Sequence, residues 1–215
     1  MQHNSHSISI AQAVIPRSNS AAINLTVDVI LIVGYAALTG LAAQLKLFLN
    51  PAVPITGQTF VVLLAGAALG SRRGVASMVV YLAAGIAGIP VFASGGVFPG
   101  SSRGYILGFV AAAFVVGYLC ERGWGRNPLK VVAAMLAGEA AIYLFGLWWL
   151  AFYFTPEQLA SSVAAGKLSD PSRLAVVWQW GVRDFIIGDI IKLLLAAFTV
   201  PLAWAGIRRL KGDVG

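Results

Sequence analysis

Apolar residues fall into six long runs, separated by short stretches where polar, glycine and proline residues gather. The runs extend from about Leu25 to Leu47, Thr59 to Gly70, Val75 to Ile89, Gly104 to Leu119, Val131 to Phe154 and Asp184 to Ile207. Several approach 20 residues, the length a helix needs to cross about 30 Å of hydrocarbon at 1.5 Å per residue. The second run, at about 12 residues or roughly 18 Å, is too short to cross alone unless 53–58 continues its path in extended form. Small residues recur at helical spacing in Ala36 with Gly40, Gly66 with Gly70, and Gly104 with Gly108, a pattern that lets neighbouring helices approach closely. The pattern predicts an all-α polytopic membrane protein, with six transmembrane helices in one bundle over 23–211. Residues 1–22 are expected to form a disordered tail on the cytoplasmic side.

Composition agrees with the pattern. Hydrophobic residues make up 59% of the chain and charged residues 11%, against about 25% charged in soluble domains. The single cysteine, Cys120, excludes an internal disulfide and a multi-thiolate metal site, and reads as a small buried residue. Met1–Ala22 carries His3 and His6 but no apolar core, so it does not read as a signal peptide. A net charge of +7 would suggest nucleic acid in a soluble protein; here it reads as the basic surplus of cytoplasmic loops, and no nucleic-acid partner is expected. With six spans, Arg17, Arg72, Arg73, Arg122, Arg126, Lys130, Arg208, Arg209 and Lys211 fall on the side of the termini. Lys46, Arg103, Lys167, Arg173 and Arg183 fall opposite. That asymmetry places both termini in the cytoplasm and the irregular loops outside.

Candidate chemistry begins with the charges inside apolar runs. Asp189 and Lys192 lie three residues apart in the sixth, on one helix face. Each is expensive near a bilayer centre, about 2.5–3.5 kcal/mol on insertion scales. They form either a self-neutralising structural pair or a polar clamp, the acid accepting from N–H donors of a small molecule and the base donating to its oxygen. Three irregular stretches favour the clamp. Asn50–Thr59 holds two prolines and a glycine, with Gln58 offering both a donor and an acceptor. Pro90–Gly104 is rich in glycine, carries Phe92 and Phe98 to cover an apolar moiety, and ends at Arg103. The third is the loop 155–182, which has room for a short amphipathic helix. An arginine at a helix start is poorly placed for the helix dipole, so Arg103 either serves a ligand carboxylate or snorkels to lipid phosphate. Glu139, in the middle of the fifth run, must face the interior or a partner. Trp148, Trp149, Phe152 and Tyr153 read as an interfacial belt. No metal ligand set is expected.

The motifs Val53-Pro54-Ile55-Thr56-Gly57-Gln58-Thr59, Leu64–Gly70, Arg73-Gly74, Gly104-Tyr105 with Gly108-Phe109, and Phe185-Ile186-Ile187-Gly188-Asp189-Ile190-Ile191-Lys192 resemble those of the BioY family. These are the biotin-specific substrate-binding subunits of energy-coupling-factor transporters. The resemblance extends over nearly all of the chain after the tail. It implies a six-helix domain of a prokaryotic inner membrane that captures biotin from outside. Asp189, Lys192 and Arg103 would lie at the ligand, with Gln58, Thr56, Tyr105 and Phe92 around them. It also implies a membrane coupling protein and two ATPase subunits that would use the ATP, no cofactor on this chain, and Ala36 and Gly40 as docking candidates. Two departures from the family pattern stand out: Ser101-Ser102 in place of Pro-Thr, and Asp184 in place of proline. A subunit for another vitamin, or a proton-coupled carrier using Glu139, is the alternative. An intramembrane enzyme is disfavoured, because the chain has neither a Gly-x-Ser-x-Gly elbow nor a His-Glu-x-x-His helix.

Overall fold

The structure is a computed structural model, and it describes residues 9–15, 17–94 and 100–212. It is an all-α bundle, apart from one small β ribbon. The helices are α1 (Ile10–Val14), α2 (Ala21–Ala42), α3 (Gln58–Leu69), α4 (Ser71–Ile86), α5 (Arg103–Glu121), α6 (Pro128–Tyr153), α7 (Pro156–Ala164), α8 (Arg173–Val176) and α9 (Ile186–Gly212). Six of these have twelve or more residues, in the order the apolar runs predict. Among the described residues, four stretches are long and apolar enough to cross a membrane: α2, α5, α6 and the run Arg173–Arg209. α3 is apolar but short, with 12 residues.

Several boundaries differ from the sequence reading, each for a local reason. α2 stops at Ala42, short of the expected Leu47, because Lys46 and Leu47 pair antiparallel with Thr56 and Ile55 (strands β1, Lys46–Leu47, and β2, Ile55–Thr56). The basic turn at 71–74 is the first turn of α4: the Glu121 carboxylate accepts from the Ser71 N–H at 2.8 Å and from its hydroxyl at 2.9 Å, capping the helix from α5. The loop 155–182 holds α7, started by a Thr155–Gln158 capping box. The last helical run begins at Arg173 and passes through a π-helical stretch, Val177–Arg183, before α9. The expected tail is partly folded: Ser9 and Gln12 cap α1, whose Ala11 and Ala13 are buried against α3 and α9. His3, His6 and Phe98 lie outside the described residues.

Close approach explains the glycine pairs. A Cβ on Gly66 would stand 2.7 Å from the Ala113 carbonyl of α5, and one on Gly108 would stand 2.9 Å from Cα of Ile142 in α6. Gly104 is as tight, against the Phe145 carbonyl and the Trp149 side chain. These contacts hold α3, α5 and α6 together around Val62, Leu63, Ala112, Val116, Met135 and Ile142. Cys120 joins this core as a buried thiol. Ala36 and Gly40 do not present a docking strip. Both are buried, and a Cβ on Gly40 would meet the Val91 side chain at 3.1 Å, so the chain itself covers that face.

Candidate functional site

The ends of α3, α5 and α9 away from the 70–71 turn enclose a cavity of about 220 Å³. Its walls are mostly apolar: Phe48, Val53, Pro54, Ile106, Phe109 and Phe185, with Tyr105 between them. Polar groups enter at a few points only, from Thr56, Gln58, Thr59, Ser94, Ser101, Ser102 and Lys192. An apolar chamber with a few convergent polar groups is the usual design of a small-molecule site.

The polar groups are held from behind. Lys192 donates to Asp189 at 3.1 Å and to the Thr59 hydroxyl at 2.7 Å, which fixes its ammonium between α9 and α3. The other Asp189 oxygen accepts from the Tyr143 hydroxyl of α6. Both charged side chains are about 12% exposed, so each depends on these partners for what water would otherwise supply. Gln58 donates to the Tyr81 hydroxyl at 2.5 Å, and its amide oxygen accepts from Thr56 at 3.1 Å. Tyr105 stacks near Phe185 with ring centroids 6.2 Å apart and donates to the Gly181 carbonyl at 3.2 Å.

The loops above are tied to the helices. Asn50 accepts from the N–H groups of Ala52 and Val53, both at 2.9 Å. Its amide donates to the Asp184 carboxylate at 2.9 Å, joining the Val-Pro loop to the start of the last helix. Asp184 is thus one anchor of that loop. Ser101 donates to the Ala52 carbonyl, Trp149 to the Gly100 carbonyl at 2.8 Å, and Lys46 to the Ala93 carbonyl at 2.7 Å.

Of the expected site residues, Lys192, Gln58, Thr56 and Tyr105 line the cavity. Asp189 instead stands one layer back, behind Lys192. Its remaining surface faces a second cavity, between α6 and α9, shared with Glu139 and Tyr143. Arg103 is not among the described lining residues: its guanidinium lies 6.0 Å from the Trp149 ring centroid. Phe92 is fully buried, edge-on to Tyr81 at 5.4 Å and against Gly85, a core position that is not among the described lining residues of the chamber. Tyr143, Asn50 and the role of Thr59 escaped the sequence reading. Tyr143 had a legible signal, being four residues beyond the buried Glu139 and so on the same helix face. Thr59 had none, since its partner lies 133 residues away in sequence; Asn50 had only its local turn with Ala52 and Val53 to show, its partner Asp184 lying 134 residues away. Among the described residues no three His, Cys, Asp or Glu side chains converge on a metal position.

A family model described as the BioY family matches residues 11–209. A probable biotin transporter BioY of Pyrococcus horikoshii is 39% identical over 190 residues, covering 86% of this chain and 97% of the relative. The biotin transporter BioY of Rhizobium etli is 33% identical over 186 residues, with 80% and 90% covered. Among solved structures, the S-component for biotin from an ECF-type ABC transporter superposes with a TM-score of 0.61 at 22% identity, covering 91% of this chain and 95% of that one. That likeness shows a shared fold.

Proposed function

The chain belongs to the BioY family, and on that premise we propose that it captures biotin for uptake across the membrane. The observation that carries the reading is Lys192, a cation fixed by Asp189 and Thr59 at the wall of an otherwise apolar chamber. Biotin has a fused bicycle and an aliphatic chain to bury, a ureido group with N–H donors and a carbonyl, and one carboxylate. In this reading the Lys192 ammonium donates to a ligand oxygen. The Thr56 and Gln58 oxygens accept from ureido N–H, and Phe109, Tyr105 and Phe185 cover the apolar parts. Asp189 orients Lys192 from behind, and Arg103, stacked near Trp149, braces the rim and favours an anion approaching it.

The proposal extends to a prokaryotic inner membrane with both termini cytoplasmic, so that the chamber opens outward. It also includes the substrate-specific role beside a membrane coupling protein and two ATPases, which would use the ATP. The basic residues gathered at the terminal end support the orientation, and the motif resemblance supports the assembly. Catalysis forms no part of the proposal: the named relatives are transporters. Isothermal titration of the purified chain with biotin, against riboflavin and thiamine as competitors, tests the ligand. Saturable heat with biotin alone is expected, lost in Lys192→Met. Equal heat from the competitors, or unchanged binding by that variant, would refute it.

A further inference from the structure

Behind the Asp189–Lys192 pair, α6 and α9 form an open groove of about 340 Å³ between Leu136, Leu147, Ile186, Ile190 and Leu193, with the buried acids at its floor. Its polar groups are Glu139, Tyr143 and Asp189. Glu139 is 5% exposed, and its Oε1 has no hydrogen-bond partner among the described residues. The charged and titratable groups around it come from each neighbouring helix. α6 gives Tyr143, which donates to Asp189; α9 gives Asp189 and Lys192; α5 gives Tyr105, its ring 6.3 Å from that of Tyr143. From α3 come Thr59, bonded to Lys192, and the apolar Leu63, against Gly138.

The cluster therefore holds two acids and one base in apolar surroundings. With both acids ionised, one negative charge is left uncompensated, and burial penalises such a charge strongly. An anionic ligand drawing on Lys192 from the other side leaves the acids still less compensated. A proton on Glu139 restores neutrality, and at any pH where that position is only partly filled in the free chain an anion on Lys192 fills it further; no other side chain in the cluster, among the described residues, can accept one without giving up a hydrogen bond that the structure shows. We propose that Glu139 is a proton-binding site linked to occupancy of the ligand chamber, so that capture of the biotin anion is accompanied by uptake of a proton from water onto the Glu139 carboxylate. No bond other than this O–H is formed, and none is broken. The inference rests on the biotin reading above. Linkage fixes the sign: if the liganded state binds more protons than the free state, affinity rises as pH falls, at most about tenfold per pH unit for one proton.

Titration of the purified chain with biotin in buffers of different ionisation enthalpy, between about pH 6 and pH 9, counts the protons directly. The parent is expected to show an uptake of up to one proton within that window. Glu139→Gln is expected to bind biotin with no uptake, and Glu139→Asp, which keeps the titrating group, to retain it. Biotin heat without buffer dependence at any pH in the parent would overturn the inference while leaving the ligand reading intact, whether or not the variants fold. The same uptake in Glu139→Gln would overturn it too, by placing the proton elsewhere. An absence of biotin heat in the parent would overturn both readings.

Discussion

Tyr143→Phe isolates the arrangement on which Lys192 depends. The substitution removes one oxygen and leaves the ring, which stands edge-on to Tyr105, in place. Asp189 then loses its donor from α6 and keeps only Lys192, at 3.1 Å. A hydrogen bond to a charged group contributes about 1.5–3 kcal/mol, and a buried carboxylate oxygen left without a donor forfeits that amount. The carboxylate recovers part of it by turning fully toward Lys192, which draws the ammonium away from the chamber. Only that recovered part, about 1 kcal/mol, distinguishes the free from the liganded state, so at about 1.4 kcal/mol per tenfold biotin affinity should fall roughly three- to tenfold. Isothermal titration of parent and variant, with thermal melting of both, separates binding from folding. In a double-mutant cycle with Asp189→Asn, the two losses should be non-additive, because both act on the same pair. A variant that melts earlier yet binds biotin like the parent would refute the reasoning, and would make Tyr143 a packing residue.

Further expectations follow from the same contacts. Gly104→Ala drives a methyl group against the Phe145 carbonyl and the Trp149 side chain; overpacking of about 1–3 kcal/mol should lower the melting temperature by roughly 3–10 °C, read by a thermal shift in detergent. Asn50→Ala strands the Ala52 and Val53 N–H groups and unties the loop from Asp184, at a cost of about 1–3 kcal/mol, and biotin dissociation measured by stopped flow should quicken several-fold. Phe92→Ala empties a core position and should cost about 3–5 kcal/mol of stability. The folded fraction should bind biotin almost as the parent does; a large loss of affinity there would restore Phe92 to the ligand wall.

The alternation of apolar runs and breakers determined the helical class, the order of the six longer helices and the closeness of α3, α5 and α6, because crossing length and small-residue spacing are written along one strand of text. It also exposed Lys192, since a charge inside an apolar run is costly enough to announce itself. Tertiary structure decided which member of the pair lines the chamber. Asp189 and Lys192 share a helix face by spacing, but only the packing of α6 behind and α3 in front turns one toward each cavity. It also decided that Gly40 packs against Val91, that Phe92 packs edge-on to Tyr81, and that Asn50 ties its loop to Asp184. Contacts that span more than a hundred residues leave no periodicity to read. They exist only once the helices have been brought together, and the chemistry of this chamber is built from them.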